Sequence, residues 1–183
     1  MNPLGPFVDY DSRVLSLLGR IEQSHIDALA DQLLRLDAAR RSNIIVYVSS
    51  QGGNIHDALK ITDIFDCLRS KVIAIGMGHV QGAGLIILSC AAERLILPSC
   101  ILSTAGLFDF EFRQASSLIE ALEPRISALG KSSKELSTLI RSAVHGIQFL
   151  TADQAKELNL IDSIYVISLN RKPSIIRELH VRR

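Results

Sequence analysis

The sequence predicts an α/β fold built on a largely parallel sheet. Over the first hundred residues, short apolar runs typical of buried strands alternate with segments whose apolar residues recur every three or four positions. Two of these runs end in glycine-rich turns, at 51–53 and 81–84. Strands that alternate with helices pair in parallel through right-handed crossovers. At 183 residues, the chain is long enough for one domain with a substantial core.

The predicted elements follow one another with short connections. Strands are predicted at 13–18, 43–49, 71–75, 95–97, 101–104 and 161–167. Helices are predicted at 22–36 and 54–68, then directly after Gly82. A last helix is opened by Thr151 and Gln154, which form a capping box.

The pattern changes after residue 104. Residues 108–112 alternate phenylalanine with acidic residues, as in a half-exposed strand. A helical pattern follows at 114–122, and Pro124 predicts a boundary or a kink. Two further amphipathic pieces reach about residue 143.

Composition narrows the environment and the partners. The net charge of +1 gives no reason to expect a nucleic acid or an anionic membrane as partner. Hydrophobic residues make up 48% of the chain, which favours an oligomer. Three cysteines in apolar contexts, without paired spacing, predict free thiols in a reducing, cytoplasmic location. The first 13 residues do not have the pattern of a signal peptide.

One uncharged stretch is long enough to cross a bilayer. It covers the 21 residues between Lys71 and Glu93. Four glycines, His79 and Gln81 interrupt it near the middle, so we interpret it as a strand, a turn and a buried helix.

The two glycine turns carry the most specific signal. The first turn reads YVSSQGG at 47–53 and the second GHVQGAGL at 78–85, with further motifs LPS at 97–99 and FLTADQA at 149–155. Together they resemble the Clp peptidase family (peptidase S14), the proteolytic subunits of ATP-dependent Clp proteases, from about residue 13 to 167. The resemblance implies a ClpP/crotonase-like fold with covering helices and a helical handle.

On this resemblance, the chain divides into four parts. These are an N-terminal arm at 1–12, an α/β head at 13–104, a handle-like region at 105–148, and a C-terminal helix, strand and basic tail at 149–183. The handle is shorter than is usual for the family.

The resemblance also assigns positions to the catalytic triad, and none carries a reactive side chain. The serine position falls on Gly82, the histidine position on Ala105 and the aspartate position near Ala143. The family's oxyanion donors correspond to the backbone N–H groups of Gly53 and Ala83. We therefore expect no catalytic residues. We expect no cofactor either, and no metal site, because no histidine has ligand spacing with another His, Cys or carboxylate.

The expected function is that of a catalytically deficient, structural subunit that forms rings, alone or with active Clp paralogues. The family implies heptameric rings and an AAA+ unfoldase partner. Only 12 residues precede Arg13, which leaves little for the axial loops of the family, so unfoldase docking is not expected.

Alternatives remain open. One is a crotonase-type acyl-CoA enzyme that uses the two N–H donors for an enolate. Another is a peptide-binding module that does not cleave. A third is a relocated Ser–His pair that involves His79.

The sequence also suggests an oligomer interface. The apolar residues of 114–140 are too many, in this interpretation, for the segment to bury against its own domain. We therefore expect Leu118, Leu122 and Ile126 to contact other protomers. The short handle predicts a single ring, or a weak double ring.

Overall fold

The computed structural model describes residues 8–107, 112–128, 134–143 and 145–166. The elements in these ranges are, in chain order, β1 (Val8–Asp9), β2 (Val14–Leu18), α1 (Gln23–Ala39), β3 (Ile44–Ser50), α2 (Ile55–Cys67), β4 (Val72–Gln81), α3 (Ala83–Ser89), β5 (Glu93–Ile96), β6 (Ile101–Ser103), α4 (Phe112–Ala128), α5 (Lys134–Ala143), β7 (Phe149–Leu150), α6 (Ala152–Glu157) and β8 (Ser163–Ile164).

The strands form one mixed sheet in which parallel pairs dominate. Its order is β1-β2-β3-β4-β5-β8, while β6 pairs with β4 and β7 pairs with β6. The pairs β2–β3, β3–β4, β4–β5, β4–β6 and β5–β8 are parallel, whereas β1–β2 and β6–β7 are antiparallel. The predicted α/β class and its largely parallel sheet are confirmed.

Strand β4 is longer than predicted. Its partner β3 keeps register up to the pair Val48 and Gly76, and the next pair is Ser50 and Val80. The extra residues form a bulge at Gly78, which has a positive φ of 62°. Beyond the bulge, β4 pairs with β6 through Gln81. The uncharged stretch after Lys71 thus forms a strand, a turn and a short helix, as expected.

The two faces of the sheet carry separate apolar clusters. The larger one, the main cluster, joins one sheet face to the buried sides of the helices, and α3 is buried along its whole length. The smaller one, the second cluster, lies on the other face and consists of Val14, Ile45, Ile73, Ile75 and Leu95. Alternate residues of a strand point to opposite faces, which explains the division.

A buried arginine fixes the amino ends of the strands. Arg13 is 2% exposed and donates to the carbonyl oxygens of Leu36, Ser42 and Asn43 at 2.7, 2.9 and 3.1 Å. Asp37 accepts a hydrogen bond from the backbone N–H of Ser70 at 2.8 Å. These bonds tie the end of α1 to the starts of β3 and β4, so that the opposite ends of the strands stay aligned.

The apolar residues of the handle-like region were expected to contact other protomers, but they are buried within the protomer itself. Leu118, Leu122 and Ile126 are 6, 1 and 1% exposed and belong to the main cluster. The premise that one protomer could not bury them is wrong. The main cluster also contains buried residues of the head and of α5, and Arg125 adds ion pairs with Asp63 and Asp66 of α2. These side chains are therefore already occupied within the chain.

Pro124 was expected to end or kink its helix, and the boundary part of that prediction is wrong. Helix α4 continues through Pro124 to Ala128. Pro124 has no backbone N–H to donate to the carbonyl oxygen of Glu120, one turn before it. The Arg125 side chain donates separately to the carbonyl oxygen of Ala121 at 3.3 Å. The same guanidinium pairs with Asp63 and, at 3.1 Å, with Asp66 of α2. The strand expected at 108–112 lies largely outside the described residues, and Phe112 begins α4.

None of the helices in the described ranges has the length and apolar character needed to cross a membrane.

Candidate functional site

The two glycine turns meet at the carboxyl edge of the parallel sheet. Strands β3 and β4 are neighbours, so the turns that follow them lie side by side. A β-carbon placed on Gly52 would stand 3.4 Å from the carbonyl oxygen of Gln81 and 3.8 Å from the backbone nitrogen of Ala83. Both distances are ordinary van der Waals contacts, so the positive φ of Gly52, 88°, rather than a lack of space, is what favours glycine at this position.

Gly53 is required by the chain that crosses it. A β-carbon on Gly53 would stand 2.1 Å from the carbonyl oxygen of Ile21, far inside contact distance. Ile21 donates its N–H to Gly52 and accepts from Asn54, at 2.8 and 3.3 Å. This bridge fixes the first turn against the segment that follows β2.

Gly82 occupies the bend between β4 and α3. Its backbone angles, φ 49° and ψ −118°, lie where residues with side chains are strained. A β-carbon on Gly82 would stand 2.8 Å from the carbonyl oxygen of Ala105, and 3.0 Å from the carbonyl carbon and oxygen of Gly106. The space that a nucleophile's side chain would need is therefore filled by backbone.

The turn that fills this space is held at both ends. Thr104 donates its N–H to the carbonyl oxygen of Gln148 at 3.1 Å, and its hydroxyl oxygen accepts from the Gln148 N–H at 2.8 Å. Ala105 donates its N–H to the hydroxyl oxygen of Ser103 at 3.0 Å. Leu107, which is 1% exposed, anchors the far end in the main cluster.

The predicted serine and histidine positions are thus brought together, because the backbone of Ala105 adjoins Gly82. The third position is different. Ala143 ends α5 and packs against the main cluster. Strand β7 pairs with β6 so that Phe149 is opposite Ser103, and the Thr104–Gln148 bonds extend this register by one residue.

Continued by one further residue, this register would pair Ala105 with Ile147 and not with Ala143. The expected aspartate position depends on how β7 pairs with β6, and spacing along the sequence does not determine this pairing. Ile147 is 59% exposed and has no carboxylate to orient a base. No Asp or Glu occurs between Glu135 and Asp153.

The oxyanion-like donors lie at the meeting of the turns. In the described part of the chain, the backbone N–H groups of Gly53 and Ala83 have no hydrogen-bond acceptor. Gly84 lets α3 start close to β3, because a β-carbon there would stand 3.0 Å from the Ser50 β-carbon. The arrangement offers two N–H donors and lacks a nucleophile.

The other polar side chains near the two turns do not supply a nucleophile. His79 is exposed on β4, and its side chain forms no hydrogen bond within the described ranges. The hydroxyl oxygens of Ser50 and Ser103 accept from the backbone N–H groups of Gly52 and Ala105. The relocated Ser–His pair is thus not assembled in this structure.

The buried thiols are equally unreactive. Burial raises the pKa of Cys90 and of Cys100 to about 12, so neither forms a thiolate near neutral pH. The described residues contain no group of three or more His, Cys, Asp or Glu side chains that could hold a metal ion.

The site thus consists of two glycine turns at the carboxyl edge of a parallel sheet, one of which leads into the buried helix α3. The sequence profile described as Clp protease matches residues 9–168. The chain belongs to the Clp protease family, which is a family of serine peptidases.

Curated relatives agree with this assignment. The chain is 28% identical over 174 residues to an ATP-dependent Clp protease proteolytic subunit 3 of Rhizobium etli, covering 88% of this chain and 90% of the relative. It is 31% identical over 163 residues to the subunit 3 of a Synechococcus species, covering 83% and 82%.

Solved structures show the same fold. The ClpP protease catalytic domain of Plasmodium falciparum matches with a TM-score of 0.70 at 24% identity, covering 90% of each chain. ClpP1 of Listeria monocytogenes matches with a TM-score of 0.68 at 24% identity, covering 85% of this chain and 92% of that one. At this identity, the likeness concerns the fold alone.

Proposed function

We propose that this chain is a catalytically inactive Clp-type subunit that serves as a structural, ring-forming component of a Clp-type assembly. One observation carries the proposal: the Ala105–Gly106 backbone lies where a side chain on residue 82 would have to stand. A serine peptidase needs a hydroxyl at this bend, free to approach a carbonyl carbon.

The other triad positions support the same conclusion. A serine nucleophile depends on a base and on a group that orients the base, and these residues act as one unit. Ala105 has no base to offer, and neither Ile147 nor Ala143 has a carboxylate. The missing functions are three, so a single back-mutation would not restore the mechanism.

The backbone N–H donors of Gly53 and Ala83 are retained, but they do not contradict the proposal that the subunit is catalytically inactive. Gly53 has a contact that excludes any side chain, and Gly84 closely approaches Ser50. Both turns therefore have structural reasons to keep their glycines, whether or not a substrate binds.

A role in assembly follows from the relatives' names and from the composition. Both relatives are called proteolytic subunits, which means parts of a larger protease. A content of 48% hydrophobic residues suits a chain that buries surface against other subunits. We propose rings of this chain, alone or with an active paralogue.

The test combines mass and labelling. Native mass spectrometry of the purified chain, and of the chain co-expressed with an active Clp proteolytic subunit, should give closed oligomers. A serine-directed fluorophosphonate should label the active subunit and leave this chain unlabelled. Covalent labelling of this chain, or a monomer in both preparations, would contradict the proposal.

The free N–H donors favour a second candidate, a crotonase-type acyl-CoA enzyme. Two convergent donors could stabilise a thioester enolate. Calorimetry with acetyl-CoA decides between the two: saturable binding that free CoA does not reproduce would favour the enzyme. Binding of an extended peptide without turnover would favour a peptide-binding module.

A further inference from the structure

The backbone that obstructs the nucleophile bend is a β-turn of four residues, 104–107, which we call the blocking turn. The N–H of Leu107 donates to the carbonyl oxygen of Thr104 at 3.0 Å and closes the turn. Gly106, at the third position, has a φ of 70°, whereas Ala105 is not among the described residues with a positive φ. This combination defines a type II turn, which favours glycine at its third position. The obstruction is therefore encoded locally in the sequence.

The Thr104 side chain joins the blocking turn to the end of β7. As a hydrogen-bonded pair of an antiparallel ladder, Thr104 and Gln148 would exchange two backbone bonds. The Thr104 N–H donates to the Gln148 carbonyl oxygen, but the Thr104 carbonyl oxygen accepts from Leu107 instead. The Gln148 N–H donates to the Thr104 hydroxyl oxygen at 2.8 Å. The hydroxyl, on a residue that is 3% exposed, thus replaces the acceptor that the turn withdraws from the ladder.

The blocking turn is attached less firmly than the sheet around it. Gly106 is exposed, Ala105 is partly buried, and Gln148 lies in the exposed stretch 145–149. Within the described ranges, β7 pairs only with β6, whereas β4 has partners on both sides. Leu107 alone among the four turn residues belongs to the main cluster. Segments held by few, solvent-exposed hydrogen bonds open at a lower free energy than the whole protein.

We propose that the blocking turn is an autoinhibitory contact that opens as a unit while the sheet stays folded. Closed, it holds the carbonyl oxygens of Ala105 and Gly106 against Gly82. Open, it frees the space beside the bend from which α3 begins. The inference rests on the proposed function, because it concerns the same bend, and it adds a control on access to that bend.

Amide hydrogen exchange, followed by NMR on the full chain, tests the proposal. If the turn opens as a unit, the N–H groups of Thr104, Leu107 and Gln148 should report one common opening equilibrium. They should exchange faster than the N–H of Gly82, which donates to the carbonyl oxygen of Ser103 between β4 and β6. Exchange of the turn amides only through global unfolding, as measured in urea, would overturn the proposal.

Two substitutions should weaken the turn by different means. Thr104→Val removes the hydroxyl acceptor at nearly constant shape, and Thr104→Ser retains it. Loss of one hydrogen bond should speed exchange of the amides of residues 104 and 107 roughly two- to tenfold, and the serine variant should stay near the parent. Gly106→Ala adds a methyl group with nothing within 4 Å, so its acceleration, roughly five- to thirtyfold, comes from the positive φ alone.

Gly146→Ala is the matched control, because its β-carbon position is equally open and its φ is not in the positive range. It should leave exchange of the turn amides unchanged. The Gly82 amide should keep the rate of the parent in all four variants. Equal acceleration of the Gly82 amide and the turn amides would show that the sheet opens with the turn, and the proposal would then be wrong.

Gly82→Ala tests whether the turn and the bend compete for one space. A β-carbon there would stand 2.8 Å from the Ala105 carbonyl oxygen, so exchange at Leu107 and Gln148 should be faster than in Gly19→Ala, where the β-carbon position is open. Equal exchange in these two variants would overturn the autoinhibitory contact. The proposed function has separate readouts, because a turn that never opens leaves the subunit unlabelled and its oligomers intact.

Discussion

The carbonyl oxygen of Ala105 lies 2.8 Å from the point where a β-carbon on Gly82 would stand. Loss of a nucleophile by substitution alone would have left an empty space beside the bend. Here the backbone of Ala105 and Gly106 occupies that space, and bonds between Thr104 and Gln148 hold it there.

Reinstalled side chains should not restore peptidase activity. In Gly82→Ser with Ala105→His, the serine is strained and obstructed, and the histidine has no carboxylate to orient it. We expect no turnover of fluorogenic peptides and no fluorophosphonate labelling. Adding Ile147→Asp supplies the acid at the position that the register favours, and it too should fail while the 105–106 backbone stays in place. Labelling of either variant would contradict this.

Gly82→Ala should destabilise the fold by more than its backbone angles alone require. A residue with a side chain at positive φ costs about 1–2 kcal/mol. Gly19 is the matched control, because it has a φ of 83° and nothing within 4 Å of its β-carbon position. We expect Gly19→Ala to lose only the conformational part and Gly82→Ala to lose clearly more, as measured by urea unfolding. Equal losses would show that the Ala105 contact yields easily.

Gly53→Ala should be among the most damaging single substitutions. Its β-carbon would stand 2.1 Å from the Ile21 carbonyl oxygen, so the bridge between Ile21 and Gly53 must break. Gly146→Ala is the control, because its β-carbon position is open. Thermal unfolding should show a large fall in Tm for the first variant and almost none for the second.

Asp37 should make stability depend on pH in the acid range. Hydrogen bonds from Ser70, followed by those from Arg69, lower its pKa from 3.8 to about 2. A folded-state pKa below the unfolded value contributes stability that is present above about pH 4 and is lost as the pH falls towards 2. Asp37→Asn should therefore be less stable than the parent at pH 7, and the difference should shrink over that interval. A stability difference between the two proteins that stays constant from pH 7 to about pH 2 would contradict this role of Asp37.

Leu122→Ala should destabilise the protomer instead of releasing it from its neighbours. Leu122 is 1% exposed, and a truncation of this kind in a core costs about 2–5 kcal/mol. Leu34→Ala, at a leucine that is 50% exposed on α1, should have a small effect. Light scattering should give the same assembly mass for Leu122→Ala as for the parent under native conditions. A smaller assembly with unchanged unfolding would restore Leu122 as an interface residue.

The height of the assembly remains a prediction. The apolar residues of α4 from Leu118 to Ile126 are buried within the protomer, and Arg125 ties α4 to Asp63 and Asp66. Little of this helix is left to join a second ring, so we expect single rings or a weak double ring. Stable two-ring barrels in electron micrographs of dilute protein would count against it.

Local patterns in the sequence were enough to predict the alternating elements and the parallel sheet. The strand runs, the helix at 54–68 and the capping box of Thr151 and Gln154 each depend on neighbours within a few positions. The two glycine turns were equally visible, because glycine has a distinct backbone range and their motifs are specific. The triad positions at Gly82 and Ala105 followed from the same motifs.

Tertiary structure decided what depends on segments far apart in the chain. The sequence could not reveal that Ala105 and Gly106 fill the space beside Gly82, or that Gln148 bonds to Thr104. It also gave a wrong account of Leu118, Leu122 and Ile126, because an amphipathic helix has the same pattern whether it packs on its own domain or on another protomer. Periodicity reports that a face is apolar, and only the folded chain determines what that face touches.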